Sequence, residues 1–331
     1  MKTITLSYDD SQKLRGIAIL MMLFLHCFNY RSPNDYIDYT IYGETLSWWL
    51  THMAGLCVPF YCMLSGYGLY IKKTYNYKYC LNKAWYLIKR YWIYLLVFTV
   101  IGHCVFDAYD LSPKYLFSNF FGYNTTYNPT LWFLLPYIMI LCFSPLLLKW
   151  FNKYRILYVI LIVFACFVLA TLMTKLDNIG VISLPVYILL PFRSIKLLLS
   201  FMLGAILARY GIPELNFTKK QFFNNMIIFL FIIILSIIRI LFRKEVFAPP
   251  IALVLMILLS NIFLKKTTVN ILQELGKHSL NMWFIHAYFT YGYLDFTIYC
   301  FKYPVLISLA VVIYSYLISK ITGPVFTRLN M

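Results

Sequence analysis

The chain is laid out as a series of apolar runs of near-bilayer length, joined by short segments that carry much of its charge. A membrane-spanning helix needs roughly 20 mainly apolar residues. That ruler selects 14–30, 46–71, 91–106, 131–148, 156–173, 194–208, 226–242, 247–264, 279–300 and 303–321. The run 180–192 is also apolar, but Pro185 and Pro191 interrupt it. It reads as a re-entrant or interfacial piece leading into the sixth span. The predicted fold is all-α, a polytopic helix bundle with about ten transmembrane helices.

Charge orients the bundle. With the N-terminus inside, Lys13, Arg15, Lys72, Lys73, Lys83, Lys89, Arg90, Lys149, Lys153, Arg155, Lys219, Lys220, Lys265, Lys266 and Arg328 all fall on the inner side. That excess predicts both termini in the cytoplasm, because positive loops stay inside. Counting 180–192 as another span would move Lys265, Lys266 and Arg328 outside. The expected outer loops are 31–45, 107–130, 174–193 and 243–246. Lys13 and Arg15 ahead of an apolar run resemble the start of a secretory signal, but no small-residue cleavage site follows, so the run is read as a retained first helix.

Composition agrees with a lipid environment. Hydrophobic residues make up 62% of the chain and charged residues 12%, whereas soluble domains run near one half and one quarter. Aromatics reach 20% and gather near the ends of the runs, where amphipathic rings favour the interface. The net charge of +17 does not indicate nucleic acid, since the basic residues lie in short loops without a binding motif. Cys27, Cys57, Cys62, Cys104, Cys142 and Cys166 lie in or beside apolar runs without a CxxC pair, and read as small buried hydrophobes. No linker or internal repeat divides the chain, so 1–331 reads as a single transmembrane domain in the cell membrane.

Ionisable residues within a span are costly and mark function by default. The first run carries two, Arg15 and His26. Eleven helical steps of about 100° return to within about 20° of the start, so both side chains share a face about 16 Å apart along the axis. Taken singly, Arg15 also reads as a snorkelling anchor and His26 as an interhelical hydrogen bond. Ser279 and His286, seven apart, share a face in the same way, with substrate binding and structural bonding both open. Asp35, Asp38 and Glu44 follow the first span and could orient an imidazole or bind acceptor hydroxyls, or simply be solvated. His52 and Arg239 are further intramembrane candidates without an assigned partner, and His103 reads as structural. The five histidines are scattered and no His-Glu-x-x-His or Cys cluster is present, so no metal site is expected.

Several segments together resemble the acyltransferase-3 membrane family. They are the Arg-x10-His pattern in KLRGIAILMMLFLHCF, Val58–Tyr67 (VPFYCMLSGY), Leu131–Leu134 (LWFL), Phe201–Gly204 (FMLG) and Ser279–His286 (SLNMWFIH), in the family's order. The family's Arg-x-x-Arg pair is incomplete here: Arg90 is present, but Leu87 stands three positions before it. Lys83 or Lys89 would supply charge there without a guanidinium fork. The resemblance implies a membrane O-acyltransferase, in most cases an O-acetyltransferase, that uses acetyl-CoA (acyl-CoA) as donor substrate, with no permanently bound cofactor, and modifies a hydroxyl of a cell-surface glycan or its precursor. His26 is then expected as general base or acyl relay and Arg15 beside the donor; Lys83, Lys89 and Arg90, cytoplasmic in this topology, are expected at the anionic end of CoA, with plain topology charge the alternative for Lys83 and Lys89. Trp132, Ser279, His286 and Glu44 are the remaining substrate-binding candidates.

Two other readings compete. A lipid-linked sugar glycosyltransferase would use acidic residues such as Asp35 and Asp38 in the first outer loop, but leaves Arg15 and His26 without a role. A polysaccharide or small-solute transporter predicts paired broken helices, and the Pro-broken run 180–192 has no counterpart.

Overall fold

We describe the protein from a computed structural model over residues 2–30, 35–73 and 76–328, with residue 327 as backbone alone. Among these residues the helices are α1 Tyr8–Phe28, α2 Leu46–Ala54, α3 Cys57–Lys72, α4 Tyr77–Phe106, α5 Pro113–Phe120, α6 Leu134–Lys153, α7 Ile156–Asn178, α8 Val186–Tyr210, α9 Gln221–Leu241, α10 Ala248–Asn261, α11 Lys266–Ile285, α12 Ala287–Thr290, α13 Phe296–Tyr299 and α14 Pro304–Arg328. A 3-10 turn, Pro129–Phe133, leads into α6. Extended structure is limited to two-residue pairings, Thr3–Ile4 with Ile212–Pro213 and Thr40–Ile41 with Glu44–Thr45.

The molecule is an all-α membrane bundle. Among the described residues, eight helical segments are long and apolar enough to cross a bilayer, with α2 and α3 counted together. Two of the predicted spans fall short of that standard for different reasons. The segment Glu245–Asn261, ending in α10, is apolar but short. The run 279–300 is not one helix: α11 ends at Ile285, and the short turns α12 and α13 follow. The first half of α11 is polar, with Lys266, Thr267, Thr268, Asn270, Gln273, Glu274 and Lys277.

Other boundaries shift for local reasons. Helix α1 starts at Tyr8 rather than near residue 14, because Ser7 and Asp10 form a capping box: Ser7 Oγ accepts from the Asp10 N–H at 3.1 Å, and the Ser7 N–H donates to Asp10 Oδ2 at 3.2 Å. Helix α4 starts at Tyr77, with Asn76 Oδ1 accepting the Tyr79 N–H. Lys83, Lys89 and Arg90 therefore sit within a 30-residue helix instead of a loop. The run 46–71 bends into α2 and α3 at Gly55 and Leu56. The re-entrant piece expected at 180–192 is corrected: Pro185 caps α8, and the helix continues through Pro191 to Tyr210. A proline removes one helical donor, which neighbouring helices tolerate inside a membrane bundle. Of the expected outer loop 31–45, residues 31–34, including Asn34, lie outside the described residues. Cys27, Cys57 and Cys62 are buried as expected, but Cys104 and Cys166 are exposed on outward helix faces.

Two helix pairs are held by backbone contact. At Gly16 of α1 a Cβ would lie 2.0 Å from the Leu272 carbonyl oxygen, and at Gly276 of α11 it would lie 2.0 Å from the Gln12 carbonyl oxygen. The same reciprocal arrangement joins α3 to α8: a Cβ on Gly66 would meet Phe201 O at 1.9 Å, and one on Gly204 would meet Met63 O at 1.9 Å. Without lipid exclusion to drive association, such small-residue contacts let helices gain packing energy through close approach. Helices α1 and α11 also run in the same sense, since Gln12 neighbours Gly276 near their starts and His26 meets His286 near their ends.

Gly16→Ala and Gly276→Ala should each reduce the fraction of monodisperse protein recovered from detergent and lower its midpoint of thermal unfolding. The expected destabilisation is about 1–3 kcal/mol or more, the usual cost of overpacking. Gly68→Ala is the control, because a Cβ there meets nothing within 4 Å; an equal loss in all three variants would refute the clasp.

Candidate functional site

One face of α1 sets the site. Arg15, Met22 and His26 follow each other at helical spacings of seven and four residues. The sequence predicts one shared face, and the structure adds that it serves two cavities. Arg15 lines a cavity of about 150 Å3 together with Lys83 of α4, Tyr61 and Ser65 of α3, Tyr137 of α6 and Ser279 of α11. His26 lines another, of about 260 Å3, with Trp132, Lys196, Ser200, Arg239 and Glu245. Met22, Phe133 and Trp283 line both cavities and form the partition between them. The Phe133 and Trp283 rings meet edge-on, with centroids 5.5 Å apart.

The Arg15 cavity is cationic. Among the described residues, Arg15 and Lys83 are its two charged lining residues and no carboxylate lines it. Its polar walls are tied locally: Ser65 Oγ and the Tyr137 hydroxyl lie 2.7 Å apart, Tyr61 donates its hydroxyl to the Arg15 carbonyl at 3.3 Å, and Ser279 donates to Gly276 O at 2.8 Å. Two unbalanced cations in an enclosed space suit an anionic ligand, with Arg15 offering a fork of donors and Lys83 a point charge.

At the other cavity the chemistry centres on a histidine pair. His26 Nδ1 lies 2.7 Å from His286 Nε2, although the residues are 260 positions apart. His286 is fully buried, and its Nδ1 lies 2.8 Å from the Trp283 carbonyl and 3.2 Å from that of Met282. Carbonyl oxygens only accept, so His286 Nδ1 carries the hydrogen. In the neutral pair His286 Nε2 is then bare and accepts from His26 Nδ1–H. That leaves His26 Nε2 as the unprotonated nitrogen, which is what a base requires. Tyr291 steadies the rim, with its ring edge-on to His26 at 5.7 Å and its hydroxyl donating to Asn29 Oδ1 at 2.6 Å. Asn128 Nδ2 donates to Phe284 O at 3.0 Å and fastens the turn carrying Trp132 to α11.

The structure thus brings Arg15, Lys83 and Ser279 to one cavity, and His26 and Trp132 to the other, with His286 on His26. It does not bring Arg90, Lys89 or Glu44 to either. Arg90 is turned onto α11: Nη1 donates to Asn281 Oδ1 at 3.0 Å, Nη2 donates to the Tyr86 hydroxyl, and the guanidinium lies over the Phe326 ring. Leu87, which breaks the expected Arg-x-x-Arg spacing, lines the Arg15 cavity, and Lys83 one turn before it supplies the charge there. Glu44 is held in the small hairpin before α2. Tyr61, Ser65, Tyr137 and Trp283 join the cavities without having been site candidates, although Tyr61, Ser65 and Trp283 lie within the family-like segments. A usable signal existed for Trp283, which lies four residues after Ser279 and three before His286 on the same α11 face.

The histidine pair and the cationic cavity within the helical bundle make a candidate ligand site. The family model of the acyltransferase-3 group, described as an acyltransferase domain, matches residues 13–322, and the chain belongs to this family. The protein is a membrane acyltransferase. Searches among curated proteins and among solved structures found no match.

His286→Leu removes the acceptor for His26 Nδ1–H and should lower kcat by roughly 10²-fold, as expected when a reacting group is misaligned, with donor KM unchanged. His286→Gln, whose side-chain oxygen can stand in for Nε2, should recover part of that loss. Equal rates in wild type and His286→Leu would show that the pair is only structural.

Proposed function

We propose that the protein transfers an acyl group, in most cases acetyl, from cytoplasmic acyl-CoA to a hydroxyl of a cell-surface glycan or its precursor. The observation that carries this reading is the division of the α1 face: two cations sit on one side of a three-residue partition and the histidine pair on the other. The Arg15 cavity takes the anionic donor, and the His26 cavity takes the acceptor. Charge counting supports a ten-span topology with both termini in the cytoplasm of a bacterial-type cell membrane, which turns the Arg15 end towards the compartment where acyl-CoA is made.

In this reaction His26 Nε2 removes the proton of the acceptor hydroxyl as its oxygen attacks the thioester carbonyl carbon. The tetrahedral intermediate collapses with cleavage of the carbon–sulfur bond. The thiolate leaves as CoA and receives the proton held on His26. His286 stabilises the imidazolium by accepting its Nδ1–H, and Arg15 and Lys83 hold the phosphate-bearing donor. The relay variant, in which His26 itself carries the acyl group, is separated by adding labelled donor without acceptor: a trapped acyl-histidine would exclude the simple base role.

With purified protein and radiolabelled acetyl-CoA, His26→Ala should lower acyl incorporation by roughly 10²–10⁴-fold, the usual range for loss of a general base. Arg15→Ala and Lys83→Ala should raise the donor KM more than they change kcat. Undiminished incorporation by His26→Ala, or label arriving from a nucleotide sugar instead, would overturn the reading.

A further inference from the structure

Arg239 is the polar group of the His26 cavity that neither the histidine pair nor the donor explains. It lies in the last turn of α9 and is only 8% exposed. Its Nη1 donates to the Phe242 carbonyl at 2.7 Å and, more weakly, to Lys244 O at 3.4 Å. Its Nε is buried without a hydrogen-bond partner. A guanidinium within a membrane bundle is costly and is normally satisfied by pairing. Among the described residues the one carboxylate lining the cavity, Glu245, is ion-paired with Lys196. Glu245 faces Arg239 as well, so the two cations Lys196 and Arg239 share one carboxylate and the described lining keeps a net positive charge.

A second feature converges on the same space. Ala248 and Pro249 line the cavity and open the 14-residue helix α10; the Ala248 N–H is bonded to Glu245 O and Pro249 and Pro250 carry none, so this helix end offers its dipole and not free donors. Helix N-termini carry partial positive charge and favour anions. Trp132 adds an aromatic surface in the same wall. If Arg239 served only to close the end of α9, its Nη1 alone would suffice, and a buried, unpaired Nε would be a pure cost.

We propose that the His26 cavity takes an acceptor bearing an anionic group, a carboxylate or a phosphate, which binds Arg239 and presents a neighbouring hydroxyl to His26. This rests on the assignment of that cavity to the acceptor. A surface glycan unit bearing a uronic acid or a phosphate would meet the requirement, and an uncharged sugar would leave the net positive charge of the lining unmatched.

The test uses the full-length protein in nanodiscs and three probes: methyl glucoside, methyl glucuronide and methyl glucoside 6-phosphate. Binding is read without donor from the tryptophan fluorescence, and acetyl transfer is then read with radiolabelled acetyl-CoA. At least one charged probe should bind and react about 10-fold or more better than the neutral one, the scale of a charge-assisted bond. The two charged probes separate carboxylate from phosphate recognition. Arg239→Gln should bring the charged-to-neutral ratio close to one, and Arg239→Lys should keep much of it. Selective anion binding without acetyl transfer would sink the acyl-transfer reading while the anion site stands. Transfer without charge preference in the wild type, or a ratio unchanged in Arg239→Gln, would overturn the anion site and leave the enzyme intact. Absence of anion binding at millimolar concentration would also overturn it. If Arg239→Gln does not fold, the wild-type ratio decides alone.

Discussion

The backbone contact between α1 and α11 is the constraint on which the site depends. Gly16 against Leu272 and Gly276 against Gln12 let two parallel helices approach until carbonyl oxygens fill the space a side chain would need. In lipid, apolar side chains gain little by leaving one apolar surface for another, so association relies on close packing and hydrogen bonds. The clasp supplies the first, and the His26–His286 bond supplies the second farther along the same pair. The matching clasp of α3 on α8 holds Tyr61 and Ser65 in the wall of the Arg15 cavity. Arg15 and His26 share one helix, so their separation is set by helix rise, while the clasp fixes how that face meets α11.

Within that frame most buried polar groups are satisfied in pairs. The Arg90 Nη atoms bond Asn281 and Tyr86, Asn128 bonds a backbone carbonyl, and Ser65 bonds Tyr137. The chain of bonds from Trp283 O through His286 to His26 is ordered in the same way. A backbone acceptor fixes one proton, that proton fixes the next tautomer, and the last nitrogen is left bare. The charges facing the cavities contrast with this economy, and they are where ligands can repay the cost of burial.

Much of the architecture was legible because bilayer thickness imposes a length on every spanning run. Helix ends were less so, since Ser7 and Asn76 extend α1 and α4 into polar sequence where hydropathy stops. Pro191 misled for a related reason: proline lowers helix propensity in water, whereas the bundle carries α8 straight through it. Arg15 and His26 were readable because their spacing lies within one helix. Their separation into two cavities was not, because Met22, Phe133 and Trp283 come from three elements. The His26–His286 contact likewise depends on a long-range helix crossing. The partial Arg-x-x-Arg match pointed to Arg90, but the face of α4 that meets the cavity carries Lys83 and Leu87.

The partition also bears on what the proposed chemistry needs. A thioester open to water on both sides would lose its acyl group to hydrolysis, so exclusion of water from the transfer path has value in itself. Met22, Phe133 and Trp283 place two rings and one flexible thioether between the donor side and the base. The rings are packed edge-on, while a methionine has three rotatable bonds and adapts readily. Met22 lies on the α1 face between Arg15 and His26, so its movement would open the direct line between them without disturbing either the glycine clasp or the histidine pair. An acetyl group needs only a small gap. A whole CoA or glycan would need the bundle to part, which the backbone contacts oppose.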